Sequence, residues 1–159
     1  MRSALGDLLR QVPRRTSGQT LNFDNMLSNL NYLAIVVSSM IYFGLGSVWF
    51  GPLFGKQWLR LVGLTLTEED KKNAIFMFTK TFLLDFFITF STALILLLTK
   101  SETTADALKV SAIIGLGFVI APFLGNYMYA KRSMRLFLVE GFYHVICIAV
   151  VSIILTMWR

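Results

Sequence analysis

Of 159 residues, 55% are hydrophobic and only 15% charged, with a mean hydropathy of +0.65, which leaves too few polar side chains to clothe a water-facing domain. The net charge of +6 comes from 15 Lys+Arg against 9 Asp+Glu without a zinc-finger or RNA-binding signature, so it points to anionic lipid rather than nucleic acid. One histidine and one cysteine, Cys147, exclude the usual His/Cys metal sites and any intrachain disulfide; no metal and no cofactor is expected.

Residues 1–22 form a basic tail with Arg2, Arg10, Arg14 and Arg15, and Asp7 as its one acid. Leu5, Leu8, Leu9 and Val12 share a helical face until Pro13 stops the pattern. Two readings stand: a mitochondrial-type transit peptide, against which Asp7 counts, or a basic tail lying on an anionic membrane surface. A secretory signal is not expected, because no apolar core follows within the tail. Asp24 is expected to N-cap a helix starting near Asn25.

Residues 23–159 read as the membrane domain. Four apolar stretches, about 32–54, 76–98, 107–130 and 136–158, are each long enough at ~1.5 Å per residue to cross a ~30 Å hydrocarbon core. Leu33–Phe54 and Ser111–Ala130 carry no charged residue at all. The fold class is therefore all-α integral membrane, with four transmembrane helices. In the first loop, Gly55–Leu64 separates Lys56 and Arg60 from Trp58, Leu59 and Leu61, the pattern of a short interfacial helix. Thr67 and Asp70 then have the spacing of a capping box. The second loop is Thr99–Asp106; the third, Lys131–Arg135, is so short that spans three and four must be antiparallel neighbours. Lys and Arg balance at seven on each side of the membrane; discounting the distant tail arginines puts the first and third loops on the cytoplasmic or matrix side.

The chain also resembles itself. GLGSVWFGPLFG at Gly44–Gly55 matches GLGFVIAPFLG at Gly115–Gly125, and KTFLLDFF at Lys80–Phe87 matches RLFLVEGF at Arg135–Phe142. The order is the same in both halves, as in two pseudo-repeated helical hairpins about an axis along the membrane normal. Small residues recur every four positions at Ser47, Gly51 and Gly55 and at Gly117, Ala121 and Gly125, the spacing of close helix packing in lipid. Pro52 and Pro122 should kink or end their helices.

N-L-N-Y-L-A at the first span, L-G-S-V-W-F-G-P-L-F-G-K-Q-W after it, then G-N-Y-M-Y-A-K-R and L-F-L-V-E-G-F-Y-H-V-I resemble the membrane family called domain of unknown function 1761. The resemblance covers about residues 29–158 and implies a small four-span membrane protein with no assigned activity. The tail departs from typical members, which begin almost at the first span, and this fits an organellar or specialised member.

Ionisable groups inside spans cost roughly 2.5–3.5 kcal/mol each at mid-helix, which makes Asp85, Glu140 and His144 the candidate polar, proton or ligand site. The repeat would set Asp85 and Glu140 level, each five residues past Lys80 or Arg135. Glu140 and His144, four apart, lie on one face and could share a proton or ligand, or else bond neighbours such as Asn126 or Tyr127. Trp49, Trp58, Lys80 and Arg135 read as interface anchors.

No G-x-S-x-G, P-loop, H-E-x-x-H or C-x-x-C places a reacting group, so an enzyme is not expected. The expectation is a structural or assembly-type bundle in the lipid bilayer, as a homo-oligomer or a subunit of a larger complex. The alternative is a small transporter or proton-coupled channel using Asp85, Glu140 and His144. The membrane would be the cell membrane, or the mitochondrial inner membrane if the tail is a transit peptide.

Overall fold

The computed structural model describes residues 23–158, so the tail and its transit-peptide reading lie outside the described residues. A short helix, α1 (Phe23–Ser28), starts ahead of Asp24 rather than after it, so the expected cap does not begin it. The cap that matters is one turn later. Asn31 stands in extended backbone before α2 (Tyr32–Val48), and its side-chain oxygen accepts the Ala34 N–H at 3.0 Å. Its amide nitrogen donates to the Trp158 carbonyl at 3.2 Å, tying the start of the first span to the end of the fourth.

The first span continues from α2 through a π-helical stretch, Trp49–Leu53, that contains Pro52. Proline has no N–H for the i−4 bond, and the wider turn absorbs that loss without ending the span. The third span behaves likewise: α6 (Thr104–Ile113) passes through a π stretch at Ile114–Ile120 into α7 (Ala121–Tyr129), with Pro122 in its first turn. Between the first two spans lie α3 (Gly55–Val62), ended by Gly63 at φ +75°, and α4 (Glu68–Lys72). The Thr67–Asp70 capping box forms as read, with both reciprocal bonds present. The second span is α5 (Ala74–Leu98) and the fourth α8 (Met134–Met157).

Four helices are therefore long and apolar enough to cross a membrane: Tyr32–Leu53, Ala74–Leu98, Thr104–Tyr129 and Met134–Met157. They are not arranged evenly. α8 is the most buried span and packs on all three others, and α2 packs on both α5 and α8. The third span leans on α8 and scarcely touches α5.

The packing glycines are not the expected ones. A methyl group added at Gly51, Gly117 or Gly125 would meet nothing within 4 Å, and Ser47 and Ala121 are exposed. Gly55 is buried, but against the Phe50 carbonyl of its own preceding turn. The inward line of α2 runs Ser38, Tyr42 and on by four to Gly46, and Ser47 lies about 100° off it. Gly46 is what sits against another span, with the Tyr143 hydroxyl 2.6 Å from where its Cβ would be. Gly115 meets Val145, and Gly141 meets Ile120 at 3.0 Å, closing the third span onto α8.

Candidate functional site

Glu140 lies in the second turn of α8, half-buried, facing both the interfacial helix and the third span. Trp58 of α3 donates its indole N–H to one carboxylate oxygen at 2.8 Å, and the Tyr127 hydroxyl of α7 donates to the other. Tyr127, Leu136 and Phe137 form a small buried core on which Trp58 and Leu61 rest. The amphipathic pattern of α3 thus serves to dock it, and Trp58 is a ligand of Glu140 as well as an apolar contact. Asn126, the other expected partner of Glu140, is exposed: one residue from Tyr127 is about 100° of helix, and Tyr127 has the inward face.

One turn deeper, His144 bonds through Nδ1 to the Tyr42 hydroxyl of α2 at 2.9 Å. Glu140 and His144 share a face as read and lie within electrostatic reach, yet their hydrogen bonds go to different helices, Glu140 to α3 and α7 and His144 to α2. Around the histidine, Tyr143 packs edge-on to Tyr42, with ring centres 5.8 Å apart, and against Phe50 at 5.0 Å. Trp49, expected as an interface anchor, instead donates its indole N–H to the Val139 carbonyl at 3.0 Å and fastens the first span to the fourth.

Asp85 stands beside the Tyr42–His144 pair rather than beside Glu140. It is 3% exposed, in electrostatic reach of Tyr42, Tyr143 and Cys147, and its Oδ2 has no hydrogen-bond partner among the described residues. It stands eleven residues after the start of α5, whereas Glu140 stands six after the start of α8. The two carboxylates are therefore not level, because α5 begins well before Lys80 while α8 begins next to Arg135. Tyr143 and Cys147, three and seven residues beyond Glu140, mark the depth of Asp85 on α8. Three further buried hydroxyls of the bundle, Ser38, Ser152 and Thr156, also lack partners among the described residues. Lys80 is exposed and lies 4.0 Å over the Phe76 ring; Arg135 is exposed at the start of α8. Among the described residues the ion pairs are two exposed local ones, Lys71–Glu68 and Lys109–Asp106; neither Asp85 nor Glu140 is in a direct pair, and Arg132 lies 5.8 Å over the ring of Tyr127, whose hydroxyl bonds Glu140.

The residues that sequence reading missed are Tyr42 and Asn31, together with the fastening role of Trp49. Tyr42 had a signal: a tyrosine ten residues inside an apolar span is out of place in an aromatic belt and needs a polar partner there.

Residues 33–156 match the family described as "Protein of unknown function (DUF1761)". The chain belongs to this family. No curated protein and no solved structure matches it. The residues of the Trp58–Glu140–Tyr127 and Tyr42–His144 contacts fall inside the matched region, and the family's description assigns no activity.

Proposed function

We propose that this DUF1761 member is a non-catalytic, structural or assembly-type membrane bundle in which intramembrane polar side chains fasten helices, working as an oligomer or as a subunit of a larger complex. The observation that carries this reading is the occupancy of Glu140: both carboxylate oxygens hold donors, one from the interfacial helix and one from the third span. A group so bound is committed to geometry, and His144 is likewise committed to Tyr42. The duplication belongs to the same proposal and is supported by the two sequence matches standing in the same order in both halves. So does residence in the cell membrane, or in the mitochondrial inner membrane if residues 1–22 act as a transit peptide.

Reconstitution in vesicles loaded with a pH-sensitive dye tests the role. Proton flux should equal that of empty vesicles for the parent chain and for Glu140→Gln alike, while Glu140→Ala loses resistance to unfolding. Flux above that of empty vesicles that vanishes in Glu140→Gln would overturn the reading. One observation favours a second reading, proton conduction through Asp85: its buried, unpartnered Oδ2. Flux abolished by Asp85→Asn but kept in Glu140→Gln would select it.

A further inference from the structure

If the two hairpins are repeats, the contact of spans one and four has a counterpart in the contact of spans two and three. The first is closed by Tyr42–His144, Trp49–Val139 and Gly46 under Tyr143. The second is an open groove of about 440 Å³ between α5 and the third span. That volume lies within the ~300–1,000 Å³ of small-molecule sites. Phe87, Ile95, Phe118 and Phe123 wall it, none of its lining residues is charged, and Tyr42 and His144 form its floor.

The floor has an unspent polar atom. His144 uses Nδ1 on Tyr42, and its Nε2 makes no hydrogen bond among the described residues; nor is Nε2 among the sealed, unpartnered atoms of the interior. On the α5 wall, Ser91 is exposed and its hydroxyl has no partner among the described residues, whereas Thr92 spends its own on the Ile88 carbonyl. We infer that this groove binds a neutral, membrane-dissolved small molecule, an apolar chain or ring carrying one hydroxyl, which His144 Nε2 and Ser91 hold.

Two features select that occupant. A neutral lining excludes a charged headgroup, whose desolvation nothing here would offset. The histidine selects a hydroxyl. If Tyr42 donates to Nδ1, then Nε2 carries the proton and donates; if Nδ1 donates, Nε2 accepts. A hydroxyl serves both tautomers.

The probe is a diazirine-bearing decanol, with the matching diazirine decane as its hydroxyl-free control, added to the full chain in lipid nanodiscs. After illumination the labelled residues are mapped by mass spectrometry. The decanol probe should label the groove saturably and several-fold more than the decane, and unlabelled decanol should compete. His144→Phe should reduce decanol labelling to the decane level. Ser91→Trp, made at an exposed position, should block the groove and abolish labelling there while leaving the Tyr42–His144 bond in place. Equal labelling by the two probes, or saturable labelling unchanged in Ser91→Trp, would overturn the inference and leave the groove as ordinary lipid-facing surface.

Discussion

The seam between the first and fourth spans and the gap between the second and third are built from helices of similar length and hydropathy, yet one is closed and the other open. The seam has four polar fasteners, Asn31–Trp158, Tyr42–His144, Trp49–Val139 and the Tyr143 hydroxyl on the Tyr42 carbonyl, and a glycine where Tyr143 approaches. Across the gap the nearby hydroxyl of Thr92 turns back to its own helix, and the walls are Phe and Ile. Lipid tails are as apolar as leucine, so apolar surface alone gives spans little reason to leave lipid for one another. Close approach follows hydrogen bonds and small residues. Where both are missing, the helices stay apart.

Changes at packed or hydrogen-bonded positions should therefore cost far more than changes at open ones. The largest effect is expected for Gly46→Ala, which drives a methyl into the Tyr143 hydroxyl and should destabilise the bundle by about 1–3 kcal/mol in detergent-driven unfolding. Gly117→Ala, with open space around it, should stay within about 0.5 kcal/mol of the parent. Equal losses at the two glycines would dissolve the distinction.

Next comes Glu140→Ala, which strands the Trp58 and Tyr127 donors and should cost about 2 kcal/mol, while raising proteolytic cleavage within α3 as the interfacial helix undocks. Tyr42→Phe removes one inter-span bond and should cost about 1 kcal/mol by the same unfolding measurement.

The smallest effect lies outside the bundle. The Thr67 backbone N–H, and then its hydroxyl, hold the Asp70 carboxyl below its ordinary value of 3.8. A depressed folded-state value means that the cap's contribution is present above that ordinary value and is lost as pH falls below it. Amide exchange in α4 should accelerate over that acid range, and Asp70→Asn should flatten the dependence.

The spans, the interfacial helix, the capping box and the candidacy of Glu140 and His144 were legible in the sequence, because length, charge and local spacing decide them. Rotation about the helix axis was not legible. α8 is apolar all round, so no stripe says which side faces a neighbour, and the small-residue spacing of Ser47 and Gly51 pointed outward. The π stretches beside Pro52 and Pro122 shift the register further, and no spacing rule for a regular helix anticipates them. The repeat set Asp85 level with Glu140 by pairing Lys80 with Arg135, but α5 begins six residues ahead of Lys80, at Ala74, and α8 only one ahead of Arg135.

The central claim is that intramembrane polar groups act here as fasteners, and a double-mutant cycle between Trp58→Phe and Glu140→Ala in lipid nanodiscs tests it most directly. The fastener account predicts a coupling of about 0.6–1.7 kcal/mol, with the second substitution costing less once the first is made. Strictly additive losses would mean that the bond between them holds nothing, and would contradict it.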